Sequence, residues 1–109
     1  MNPAKSILKL PRFRFLPGMA YIGHDGLQYR VTGLGRVDPY EVRELDLGDV
    51  RTLTALHALI EEIVGCMVKT HRVDDGTYLV LTDRPSGLLS SPQETYADAL
   101  YEALDLLGR

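Results

Sequence analysis

Between Asp49 and Met67 the apolar residues Leu53, Leu56, Ile60, Ile63, Val64 and Met67 recur at steps of three and four, the period of one helical face. At about 100° per residue, Ala55, Ala58 and Glu62 fall on the opposite side. Asp46 or Asp49 can cap this helix by accepting from a free backbone N–H. Gly65 can stop it in a left-handed conformation, so the spacing predicts a helix over 49–64. A second helix is predicted from Ser91-Pro92-Gln93-Glu94, which reads as a capping box with proline at the first helical position. Tyr96, Leu100, Ala103, Leu104 and Leu107 form its inward face, and Gly108 can end it.

The other apolar positions have the two-residue period of strands. Arg12, Phe13, Arg14 and Phe15 alternate, predicting an edge strand behind a loose arm over 1–11. Segments 20–22 and 27–32 flank His24-Asp25-Gly26 as a hairpin, with Leu27, Tyr29 and Val31 on the covered face and Gln28, Arg30 and Thr32 on the wet one. From Tyr40 to Leu47 the parity changes in mid-strand, so a bulge is expected near Arg43 and Glu44. A second hairpin is predicted from 66–73 and 77–82 around Asp74-Asp75-Gly76.

The order β-β-β-β-α-β-β-α, with tight turns between neighbouring strands, predicts an α+β fold. Its economical form is a two-layer sandwich: a mostly antiparallel sheet of about five strands with two helices on one face, in a single compact domain over 12–109. A small barrel closed over one helix is the alternative. Length and composition fit this picture. A chain of 109 residues with 45% hydrophobic and 25% charged residues is of ordinary globular make-up. No apolar run approaches the roughly 20 residues of a membrane span, and one cysteine, Cys66, allows no internal disulfide. These features point to a cytoplasmic protein.

The net charge of −3 is unevenly spread. Residues 1–36 hold six Lys/Arg against one acid, whereas the rest hold six against fourteen. Glu94, Asp98, Glu102 and Asp105 share the outer face of the second helix with no cation expected among them. They are the first candidates for contact with a partner protein bearing a basic surface. Lys9, Arg12, Arg14, Arg30 and Arg36, interleaved in part with Phe13 and Phe15, suit a surface that neutralises phosphates and stacks bases.

Catalytic chemistry has a weaker basis. His57 falls on the margin of the first helix's buried face with Glu61 one turn later. This pair, or His57 with His71, is the set a small hydrolase would need. Cys66 and His71 are five apart and point to opposite faces of a strand, and one cysteine with three scattered histidines makes no zinc site. Gly33-Leu34-Gly35 lacks the spacing of a phosphate loop, and the Asp-containing turns lack the five or six oxygen ligands of a calcium loop. No cofactor or metal is expected.

The sequence therefore predicts a non-catalytic protein-interaction module: a small regulator, inhibitor or accessory subunit. Nucleic-acid binding through the basic arm is the alternative, and homodimerisation through an edge strand a further way of using the surface. In size, acidity and lack of a motif the chain is similar to small phage and mobile-element proteins that act by occupying a surface.

Overall fold

The computed structural model describes residues 2–33, 36–82 and 87–109. It is an α+β fold in which three helices accompany two antiparallel sheets. The chain opens with a short helix α1 (Pro3–Ser6) and a 3-10 turn (Ile7–Lys9). Strands β1 (Ala20–Gly23), β2 (Gln28–Arg30) and β3 (Val42–Leu45) follow, then helix α2 (Val50–Val64), strands β4 (Val68–Arg72) and β5 (Tyr78–Thr82), and helix α3 (Tyr96–Leu107). The first sheet has the order β2-β1-β3 and the second pairs β4 with β5, so the five strands are divided between two sheets instead of forming one.

The order is thus α-β-β-β-α-β-β-α, and the first expected strand is absent. Phe13 and Phe15 do sit on the same side, with rings edge to face at 5.1 Å, but residues 13–16 pair with no strand. Alternation governed the side chains without supplying a hydrogen-bonding partner, because α1 and the 3-10 turn pack against β3. The arm expected over 1–11 is anchored in the same way: Asn2 caps α1, and Ile7 is 0% exposed within the core.

Both hairpins form, with Gly26 and Gly76 at positive φ in their turns. Opposite β1, the register steps from Ile22–Glu44 to Gly23–Val42, so Arg43 is the extra residue of the bulge that the parity change foretold. Helix α2 has Asp49 at its N-cap and Gly65 in a left-handed C-cap. Its buried residues are Thr52, Ala55, Leu56, Leu59 and Ile60. Ala55, assigned to the water side, is covered because α2 is flanked by α3 and β4 and tied to β1 through Thr52.

Helix α3 starts at Tyr96 with Thr95 as its cap, four residues later than the Ser91 box predicts. Residues 87–93 stay extended along β5 instead. The Gln93 N–H donates to the Tyr78 carbonyl and the Tyr78 N–H donates back, Leu89 N–H donates to Val80, and the buried Ser90 hydroxyl accepts from the Val80 N–H. Ser91 is taken by Glu102 of α3, so it is unavailable as a cap. Residues 83–86, and the Gly33-Leu34-Gly35 turn in part, lie outside the described residues.

One apolar cluster runs from Ile7 and Met19 through Leu45, Leu56, Leu59 and Ile60 to Val80, Leu100 and Leu104, and joins both sheets to the helices. No helix among the described residues is long and apolar enough to cross a membrane.

Candidate functional site

The acidic residues of α3 do not form one free face. Glu102 accepts from the Ser91 N–H and hydroxyl, and the Gln93 side-chain amide donates to it as well. Asp105 pairs with Arg109 at 2.9 Å, so the expectation of no cation among these acids fails at that position. Glu94 is exposed one residue before the Thr95 cap, and Asp98 donates its N–H to Thr95 in the first turn. With Gln93 and Tyr101, the residues Asp98, Glu102 and Asp105 border a shallow hollow of about 220 Å³.

The basic set is likewise divided. Arg14 forms an ion pair with Glu62 of α2. Arg30 makes two bonds to the Asp49 carboxylate, at 2.9 and 3.0 Å, and a third to the Gly18 carbonyl. Lys9, Arg12 and Arg36 are exposed. Two of the five cations are therefore engaged in tying the N-terminal third to α2.

His57 is a structural residue. Its Nε2 lies 2.8 Å from the Val68 carbonyl, which can only accept, so Nε2 carries a proton, and Nδ1 shares a hydrogen bond with the Tyr96 phenol at 3.0 Å. Glu61 accepts from the Val68 N–H at 3.2 Å and stands 3.5 Å from the imidazole. The helix thus offers Val68 the donor and acceptor that a neighbouring strand would supply. With both ring nitrogens bonded inside the fold, His57 has no lone pair for a substrate, and His71 is exposed on β4.

What the structure brings together is aromatic. The rings of Phe13, Phe15, Tyr21 and Tyr29 follow one another across the first sheet at centroid distances of 5.1, 5.9 and 5.5 Å, the last pair stacked at 21°. Phe13, Phe15 and Tyr21 also pack against the core. Tyr29, 41% exposed, and Tyr40, 90% exposed, are not among the residues packed there. Around them opens a cleft of about 430 Å³ lined by Tyr21, Gly23, His24, Asp25, Tyr29, Tyr40 and Glu41. A separate, smaller hollow of about 210 Å³ is bordered by Leu8, Phe13, Arg14, Phe15, Pro39 and Val42. Phe15 of this hollow touches Tyr21 of the cleft, and the 3-10 turn Pro39–Glu41 lends residues to both.

The cleft is held in shape by local bonds. The Tyr29 phenol donates to Asp25, whose other oxygen accepts from the Leu27 N–H at 3.0 Å. The bond from Tyr29 holds the Asp25 carboxyl below the usual carboxylate range, with the Leu27 N–H acting in the same sense. The same bond pushes the Tyr29 phenol up. Gly23 makes the closure possible: a Cβ there would lie 2.8 Å from Asp25 Oδ1 and 3.0 Å from the Tyr29 ring. Tyr40 is lifted out of β3 because Asp38 accepts from its N–H and Pro39 opens the turn.

Sequence reasoning missed this site. Alternation put Tyr29 on the covered face and Tyr40 in a strand, although Asp38-Pro39 ahead of Tyr40 was a turn signal that could have placed it outside. No family model, curated protein or solved structure matches the chain.

Proposed function

We propose that this protein is a non-catalytic interaction module that binds another protein through the aromatic row of its first sheet. One observation carries the reading: Tyr29 and Tyr40 stand outside the core, beside an open cleft, where burial in the fold does not account for them. Aromatic side chains that offer a large rigid area with a polar tip are favoured anchors of protein interfaces. The acidic residues of α3, proposed from the sequence for the same purpose, offer less. Glu102 and Asp105 are engaged within the fold, leaving Glu94 and Asp98.

Nucleic-acid binding is the weaker reading. Arg14 and Arg30 are paired with carboxylates, and Asp25 and Glu41 border the aromatic cleft where a phosphate chain would have to run.

The test uses Tyr29→Ala with Tyr40→Ala, a double variant that removes exposed rings and leaves the core untouched. We expect the variant to unfold at a similar temperature to the wild type. It should lose the proteins that the immobilised wild type retains from a lysate of the native host, as identified by mass spectrometry. Retention of the same set by both would refute the reading.

A further inference from the structure

We propose that the cleft between Asp25, Tyr29, Tyr40 and Glu41 takes the guanidinium of an arginine in an extended segment of a partner protein, with apolar residues of that segment lying along Phe15 and Phe13. The inference rests on the aromatic row being a docking surface and adds what it recognises.

Charge complementarity selects the cation. Two carboxylates border the cleft, from the turn after β1 and from the turn before β3, and His24 is the one cationic type on the rim. A phosphate or carboxylate would meet Asp25 and Glu41, and an apolar group would strip water from both without replacing it. A guanidinium satisfies them and stacks on tyrosine faces, which a compact ammonium does less well. The Asp25 carboxylate accepts one bond from Tyr29 and one from Leu27, leaving roughly two of its four acceptor sites for a ligand. Tyr29 is fixed by that bond and by stacking on Tyr21, so little side-chain freedom is lost on binding.

The rest of the row sets the kind of segment. The hollow beyond Phe15 is walled mainly by Leu8, Phe13, Pro39 and Val42, and its one cation, Arg14, already faces Glu62. It suits an aliphatic or proline side chain. The four rings advance by 5.1, 5.9 and 5.5 Å, a path that about five residues of extended or polyproline chain would follow at ~3.1–3.4 Å each.

The experiment is a titration of ¹⁵N-labelled full-length protein with acetyl-Leu-Pro-Ala-Pro-Ala-Arg-amide and its reversed sequence, each compared with the peptide carrying glutamine for arginine. We expect at least one arginine peptide to shift the amide signals of Gly23, Tyr29, Tyr40 and Glu41 and to bind about tenfold more tightly than its glutamine form. That preference should fall to near unity in Glu41→Gln and in Asp25→Asn. Glu41→Gln keeps the test valid if Asp25→Asn disturbs the Tyr29 ring. Equal binding of arginine and glutamine peptides at the row overturns the guanidinium assignment and leaves the docking surface standing. Absence of binding by both overturns the assignment too, and the lysate experiment then decides the docking surface separately. A short oligothymidine that shifts the same signals at low salt when the peptides do not would replace the protein partner with single-stranded nucleic acid.

Discussion

His57 shows how far a single residue can be read before its neighbours are known. Helical spacing places it on the margin of the buried face with Glu61 below it, and both features are present. The partners that decide its role, Tyr96 and the Val68 carbonyl, are 39 and 11 residues away, beyond the reach of any local pattern. We expect His57→Ala to cost about 1–3 kcal/mol in urea unfolding, because it leaves a carbonyl and a phenol without their partner. Binding at the aromatic row should be unaffected. A change within about 0.5 kcal/mol, the size of an ordinary surface substitution, would show that these bonds contribute nothing to stability. The tyrosines of the row were illegible for another reason. A tyrosine in an alternating strand counts as apolar, yet its exposure depends on whether a second layer covers that end of the sheet. Val31 on the same face is covered, whereas Leu27 and Tyr29 are not.

Among the elements, those whose ends carry their own chemistry were the most legible. Helix α2 was bracketed by Asp49 and Gly65, and each does what its side chain or lack of one permits. Helix α3 is predicted from Ser91 with Glu94, but it is capped by Thr95, four residues later. The start is delayed because residues 87–93 have a strand to pair with. The start of α2 is also a junction. Asp49 accepts from the Thr52 N–H and hydroxyl and from Arg30 of β2, and the fully buried Thr52 hydroxyl accepts from the Ala20 N–H of β1 at 2.8 Å. The bonds from Arg30 first, and from Thr52 second, hold the Asp49 carboxyl well below its ordinary value. A carboxyl with a depressed folded pKa stabilises the fold above its unfolded pKa of about 3.9, and that contribution is lost as pH falls through and below this value. We therefore expect Asp49→Asn to unfold at a lower temperature than the wild type by an amount that is steady from about pH 7 to 5 and shrinks below about pH 4. A gap that did not change with pH would remove the ionised carboxylate as its source.

At the scale of the whole molecule, the charge imbalance read along the chain is partly cancelled in space, because Arg14 meets Glu62 and Arg30 meets Asp49. The sheet edges invite the same kind of accounting. In β4, the Val73–Thr77 bond fixes the alternation, so Lys69, His71 and Val73 bond toward β5 while Val68, Thr70 and Arg72 turn their backbone outward. Val68 is already capped by His57 and Glu61, which leaves the outer groups of two residues for another strand. By the same alternation from Gly23–Leu27 and Val31–Met19, β2 turns the backbone of Gln28 and Arg30 outward, again two residues. Edges this short, carrying arginine on both β2 and β4, give poor templates for pairing with a second copy. Short edges of this kind argue against homodimerisation through β2 or β4. We expect sedimentation velocity to give one species near 12.2 kDa over a wide concentration range. A mass rising toward twice that value would require contact through another surface, and the aromatic row is the first to examine: Tyr29→Ala with Tyr40→Ala should then restore the monomer.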